Sequence, residues 1–142
     1  MKKIYLTIAA ILGMVILSVC SCSPTTTSQA PTATLPLTTL PQVLNGGTFL
    51  SIPTGGTFIQ AGTTLSLYWS ADGNLEAYIF TANQFKNFNP KSIPTYYMAH
   101  GAGSKEIITA VVQNSDTVYG VVFNKTASSV QLYQVVFSSN RK

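Results

Sequence analysis

Residues 43–142 read as all-β, a single antiparallel β-sandwich of about eight strands with one short helical turn. Three observations lead there. Helix signals are nearly absent. Short runs rich in Val, Ile, Thr, Tyr and Phe are divided by Gly, Pro, Asn and Asp at close to the spacing of a sandwich. Where the period of two is clearest, Leu65, Leu67 and Trp69 fall on one face of their strand. About a hundred residues are enough for one independent core and no more.

The expected elements follow in order. Residues 48–52 form a first strand, ended by Pro53 and the pair Gly55-Gly56. Residues 57–60 and 63–70 come next, parted by Ala61-Gly62. Asp72-Gly73 is a strong turn signal, because both residues tolerate backbone conformations that others resist. Residues 75–81 make a central strand, apolar on both faces except at Glu76. The pattern then breaks: in 82–88, Phe85 and Phe88 are three apart among Gln, Lys and Asn. That spacing places both rings on one side of a helical turn, where they cap the sandwich. Pro90 and Pro94 bound this segment, and strands over 95–99, 106–113, 117–124 and 130–138 complete the set. Residues 125–129 make the last hairpin loop.

The chain before residue 43 has a different character. Lys2 and Lys3 precede an apolar run over residues 4–19, the layout of a secretory signal. That run is shorter than the roughly 20 residues a membrane-spanning helix needs. Both cysteines, Cys20 and Cys22, sit at its end. Val19-Cys20-Ser21-Cys22 resembles the lipobox of bacterial lipoproteins, in which an aliphatic, a variable and a small residue precede the cysteine that is acylated. Cys22 is the preferred lipidation site. Cys20 is the competing one, but its frame puts Val19 where Gly, Ala or Ser is wanted. The resemblance implies a signal peptide over 1–22, a protein held to membrane lipid by its acylated cysteine, and an extracytoplasmic place on the cell membrane or outer envelope. Residues 23–42 are rich in Thr, Ser and Pro and carry no charge, the composition of an extended linker. At about 3 Å per residue such a tether reaches roughly 60 Å.

Chemistry is sparse. The only carboxylate side chains are Asp72, Glu76, Glu106 and Asp116, and the only histidine is His100. Asp72 and Asp116 sit where turn residues do, and Glu76 and Glu106 are expected on solvated strand positions. Paired-carboxylate hydrolysis needs two acids converging on one bond at about 5 to 9 Å, and the spacing of these four does not suggest it. His100 lies in the stretch Ala99-His100-Gly101-Ala102-Gly103-Ser104, read as a flexible, exposed loop, and no Gly-x-Ser-x-Gly elbow accompanies it. One histidine without cysteine falls short of a zinc site, and no EF-type calcium spacing occurs. No cofactor or metal is expected, and a hydrolase is only a remote alternative. With Lys2 and Lys3 set aside, six basic residues face four acidic ones, too few and too scattered for a nucleic-acid footprint.

Aromatic residues are the suggestive feature. Tyr68-Trp69 and Tyr96-Tyr97 are adjacent pairs, and on strands one ring of each pair must point outward. An exposed Tyr68, Tyr96 or Tyr97 suits a binding surface for a glycan or an envelope protein. The plainer alternative is that these rings finish a small core.

Tyr78-Ile79-Phe80-Thr81-Ala82-Asn83-Gln84-Phe85-Lys86-Asn87-Phe88, with Val118-Tyr119-Gly120-Val121-Val122-Phe123-Asn124 some thirty residues on, resembles a family of small extracytoplasmic jelly-roll-like sandwiches. These are related in style to bacterial pre-peptidase C-terminal domains and the GOLD domain, with a "vYil" strand, an "nqFxnF" helix and a late "tYylVfxN" strand. Gly120 departs from the pattern, where a second large residue is usual. The resemblance implies a non-enzymatic accessory or binding module. The alternative is a structural envelope protein that self-associates through strand edges.

Overall fold

The computed structural model describes residues 33–34 and 41–141. The signal segment over 1–22, with Cys20 and Cys22, and most of the 23–42 linker lie outside the described residues. The described strands are β1 (Ala33–Thr34), β2 (Gln42–Leu44), β3 (Phe49–Ile59), β4 (Thr63–Thr81), β5 (Ala99–Val111), β6 (Asp116–Phe123) and β7 (Val130–Arg141), with one helix, α1 (Ala82–Lys86). All seven strands belong to one antiparallel sheet, in the order β1-β7-β4-β6-β3, with β2 also on β7 and β5 on β4. The architecture is thus all-β, as expected, but it is a single curled sheet of seven strands.

Four expected boundaries fall differently. β4 runs unbroken for 19 residues through Asp72-Gly73, with β5 beside it from Thr64 to Ile79. β7 pairs with its first half (Thr63 to Ala71) and β6 with its second (Glu76 to Thr81). Asp72-Gly73 is therefore an irregularity inside a strand and not a hairpin turn. The Asp72 carboxylate accepts the backbone N–H of Gln131 at 2.7 Å, which fixes the start of β7 against it. The expected pair of strands 48–52 and 57–60 is likewise one strand, β3, with a register shift between Ile52 and Thr57. Residues 125–129 do not close a hairpin, because β6 and β7 follow one another along β4 and do not pair. The expected strand over 95–99 begins only at Ala99 and continues to Val111.

These breaks lie abreast. Leu44 is opposite Val130, Phe49 opposite Phe123, and Phe123 opposite Glu76, so the interruptions at 45–48, 124–129 and 71–75 cross the sheet in one line. The sheet bends there and folds its two halves over one core. Leu65, Leu67 and Trp69 from the first half and Leu75, Ala77 and Ile79 from the second are all essentially inaccessible and share one cluster with Ile52, Val122, Leu132 and Phe137. Gly120 explains itself here: a Cβ would meet Leu67 and Phe137 of the opposite half and the carbonyl of Ile52, each at 3.3 Å.

The stretch 99–104 is strand and not loop, a second correction to the expected organisation. Its glycines serve packing. A Cβ on Gly101 would lie 2.6 Å from Ile108 and 3.2 Å from the Trp69 ring, while the Trp69 indole N–H donates to the carbonyl of Gly103 at 2.9 Å. β5 lies flat on the tryptophan because it lacks side chains there.

At the bend sits Asn124, fully buried. Its Nδ2 donates to the carbonyls of Leu44 (2.8 Å) and Ser128 (2.7 Å), and its Oδ1 accepts from Thr126 N (3.0 Å) and Thr126 Oγ1 (2.7 Å). Its backbone exchanges hydrogen bonds with Thr48 and Gly47. One amide satisfies the chain ends that the bend leaves without ladder partners.

Candidate functional site

The outer face of the second half is built by period two from Glu76, Tyr78 and Phe80 on β4 and from Tyr119, Val121 and Phe123 on β6. It is apolar and needs a cover, and the segment 82–98 supplies one. α1 starts at a reciprocal capping box: Thr81 Oγ1 accepts Gln84 N–H, and Gln84 Oε1 accepts Thr81 N–H at 2.9 Å. Asn87 ends it and donates from Nδ2 to the Asn83 carbonyl at 2.8 Å. Phe85 stacks on Tyr119 with ring centres 4.1 Å apart. Phe88 meets Phe80 at 5.3 Å and Phe49 at 5.2 Å. Both rings pack on a second small cluster of Tyr78, Phe80 and Val121, and each is half-buried.

Beyond α1 the chain returns to β5, with Met98 N–H donating to the Ile79 carbonyl at 2.8 Å. Its path leaves a cleft on either side. One cleft, about 360 Å³, is lined by Asn83, Gln84, Asn87, Phe88, Pro94, Thr95 and Tyr96 and contains no charged side chain. The other, about 240 Å³, runs past Glu76, Lys91, Ile93, Phe123 and Lys125.

Glu76 is more embedded than a solvated strand position, contrary to expectation. Tyr78 donates its hydroxyl to Glu76 Oε2 at 2.5 Å, and Lys125 Nζ lies 3.0 Å from Oε1. Burial alone raises the pKa of Glu76, but the hydrogen bonds from Tyr78 and Lys125, the Lys125 charge and the nearby His100 outweigh it and hold the carboxyl below its ordinary value. Burial, the bond to Glu76 and its charge, and Tyr97 push the Tyr78 hydroxyl well above the phenol range. His100 is exposed, as expected, but it stands on β5 opposite Tyr78, its ring stacked on the phenol at 4.5 Å. Its neighbours are the rings of Tyr78 and Tyr97, while both Glu76 oxygens are engaged by Tyr78 and Lys125. The Glu76 carboxylate is thus held by one hydrogen bond and one ion pair at the edge of the second cleft. Glu106 is exposed on β5, opposite Trp69.

The three candidate tyrosines are not brought together. Tyr68 is half-buried on the outer face of the first half, while Trp69 beside it points fully inward, as the alternation requires. Tyr96 and Tyr97 are not on a strand, so both are outside: Tyr96 is 77% exposed and rims the uncharged cleft, and Tyr97 is 43% exposed against Tyr78 and His100. Asn83, Gln84, Asn87 and Thr95 were not foreseen as lining residues. Their signal was the cluster of amides around Phe85 and Phe88, whose apolar side must face inward and whose polar side must face out.

Among the described residues no group of three or more His, Cys, Asp or Glu side chains is placed to hold a metal ion, and no helix is long and apolar enough to cross a membrane. No protein-family model, no curated protein and no solved structure matches this chain.

Proposed function

We infer that the protein is a non-enzymatic binding or accessory module, held to membrane lipid through Cys22 and displayed outside the cytoplasm on a Thr/Ser/Pro-rich tether. The observation that carries the binding reading is the uncharged cleft on the 82–98 segment, with the ring of Tyr96 at its rim. Clefts of roughly 300 to 1,000 Å³ with an apolar floor and a few polar groups are the usual form of a small-ligand site, and this one has Phe88 and Pro94 below its amides. The jelly-roll-like resemblance is compatible with a curled antiparallel sheet and supports the same accessory role.

Self-association through strand edges is the lesser reading. β5 has β4 on one side and no strand on the other among the described residues, but Lys105 and Glu106 stand in the middle of that edge. Face-preserving antiparallel pairing of two copies centred there would set Lys105 against Lys105 or Glu106 against Glu106, which like charges oppose.

The test uses the full chain expressed in a bacterial host. Wild type is expected in the detergent phase on phase partitioning, and Cys22→Ser in the aqueous phase or uncleaved. A defect in Cys20→Ser with none in Cys22→Ser reverses the choice of cysteine. Immobilised full chain is expected to retain envelope material that Tyr96→Ala does not; equal retention by both removes the cleft from the reading.

A further inference from the structure

We propose that the cleft beside α1 binds an uncharged sugar, with Tyr96 as the platform on which the sugar ring stacks; this rests on the binding-module reading above. The helix itself orients the polar groups. Only the oxygen of Gln84 is able to face the Thr81 N–H, so its Nε2 donor is the end left over. Only the nitrogen of Asn87 is able to face the Asn83 carbonyl, so its Oδ1 acceptor is left over. Asn83 adds a third amide, touched only by a long 3.5 Å contact from Asn87, and Thr95 adds a hydroxyl. Gln84, Asn87, Asn83 and Thr95 all line this one cleft, so donors and acceptors are at hand there for the vicinal hydroxyls of a sugar, each of which both donates and accepts.

The apolar part fits as well. A pyranose has one face of C–H groups, and a tyrosine ring offers it a large flat surface at little cost in side-chain freedom. Tyr96 is the most exposed aromatic residue of the described chain, and Phe88 and Pro94 complete an apolar base. Absence of charge from the lining argues against phosphate, carboxylate or ammonium ligands, which the neighbouring cleft with Lys91, Lys125 and Glu76 suits better. A volume of about 360 Å³ is right for a mono- or disaccharide unit, free or within a longer glycan.

The full chain in detergent micelles is titrated with cellobiose and with N,N′-diacetylchitobiose, with glucuronic acid as a charged comparison, and binding is read by saturation-transfer difference NMR. At least one neutral disaccharide is expected to bind in the millimolar range or better, and glucuronic acid more weakly. Tyr96→Ala should weaken binding about tenfold or more while Tyr96→Phe retains it. Tyr133→Ala, an exposed ring on β7, should change nothing. Melting temperatures of all three variants should match the parent, so that lost binding is not lost folding. No binding by either neutral disaccharide, or binding insensitive to Tyr96→Ala, overturns the proposal. If the sugars fail while Tyr96→Ala still abolishes retention of envelope protein, the ligand class is wrong and the binding-module reading stands; if both fail, both fall.

Discussion

The two halves of the bent sheet share strands and a core, yet their outer faces are opposites. The second half presents Phe80, Tyr78, Val121 and Tyr119, and the 82–98 segment lies across them. The first half presents Ser66, Ser70, Thr64 and Ser138, with Val111 beside Thr64 and Tyr68 between Ile107 and Val136, and no described segment lies over it. β4 writes both conditions into one strand. Its first half alternates buried and half-exposed residues, and its second has four buried residues in succession from Ala77 to Phe80. A strand covered on one face alternates, and a strand covered on both does not. The place where alternation stops marks where another part of the chain must arrive, and that part brings the clefts.

The contrast breaks most visibly by trimming one ring on each outer face. Phe80→Ala should cost about 3 to 5 kcal/mol, as for a fully buried phenylalanine, whereas Tyr68→Ala should cost under about 1 kcal/mol. Urea denaturation of the pair measures both, and equal losses would mean that the first half is also covered. Next in size is the bend. Asn124→Ala leaves the carbonyls of Leu44 and Ser128 and the amide of Thr126 without their partner and should cost about 2 to 3 kcal/mol. A loss near zero would show that water replaces the amide.

Phe85→Ala and Phe88→Ala should follow at about 1 to 3 kcal/mol each, less than a fully buried ring because both are half-buried. Either variant should loosen the 82–98 cover, read as faster amide exchange there with β7 unchanged. The pH dependence sharpens the comparison further, since both shifted groups belong to the second half. Glu76, held below its ordinary 4.5, contributes stability that is present above that value and fades as pH falls through its folded-state pKa. Tyr78, raised above its ordinary 10.0, contributes stability that is present below that value and fades as pH rises beyond it. Melting curves across pH should therefore lose the acid-limb contribution in Glu76→Gln and the alkaline-limb contribution in Tyr78→Phe. Lys125→Ala is the smallest expected change, under about 1 kcal/mol, because its ammonium is half in solvent.

Much of this was legible in the chain. The period of two at Leu65, Leu67 and Trp69 put those side chains on one face, and the run over 75–81 read as apolar on both faces; Phe85 and Phe88 read as a cap on the sandwich, whereas they lie over the outer face of the second half. Turn chemistry misled because it is local. Asp72-Gly73 has the backbone freedom of a turn, but here it serves a bend within β4, whose pairing with β5 resumes at Leu75 and whose second half takes β6 as its other neighbour. The glycines at 101 and 103 look like flexibility until Trp69 is seen beneath them. The pairing of Glu76 with Tyr78 was within reach, two residues apart on one strand face, whereas Lys125 joins them only through the bend. The cleft was the least accessible, since its walls depend on the path of residues 89–98, which follows no period.

The uninterrupted course of β4 has a consequence for divisibility. A sheet that bends usually invites being cut at the corner, each side surviving as a smaller unit. Here any cut within Thr63–Thr81 deprives both sides of a neighbour at once, since β5 runs along the whole strand while β6 and β7 share its length. The two sides are expected to melt in one transition. Through β7 the same strand is tied to the paired residues Ala33–Thr34, so part of the stretch 23–42 joins the sheet that β4 holds together.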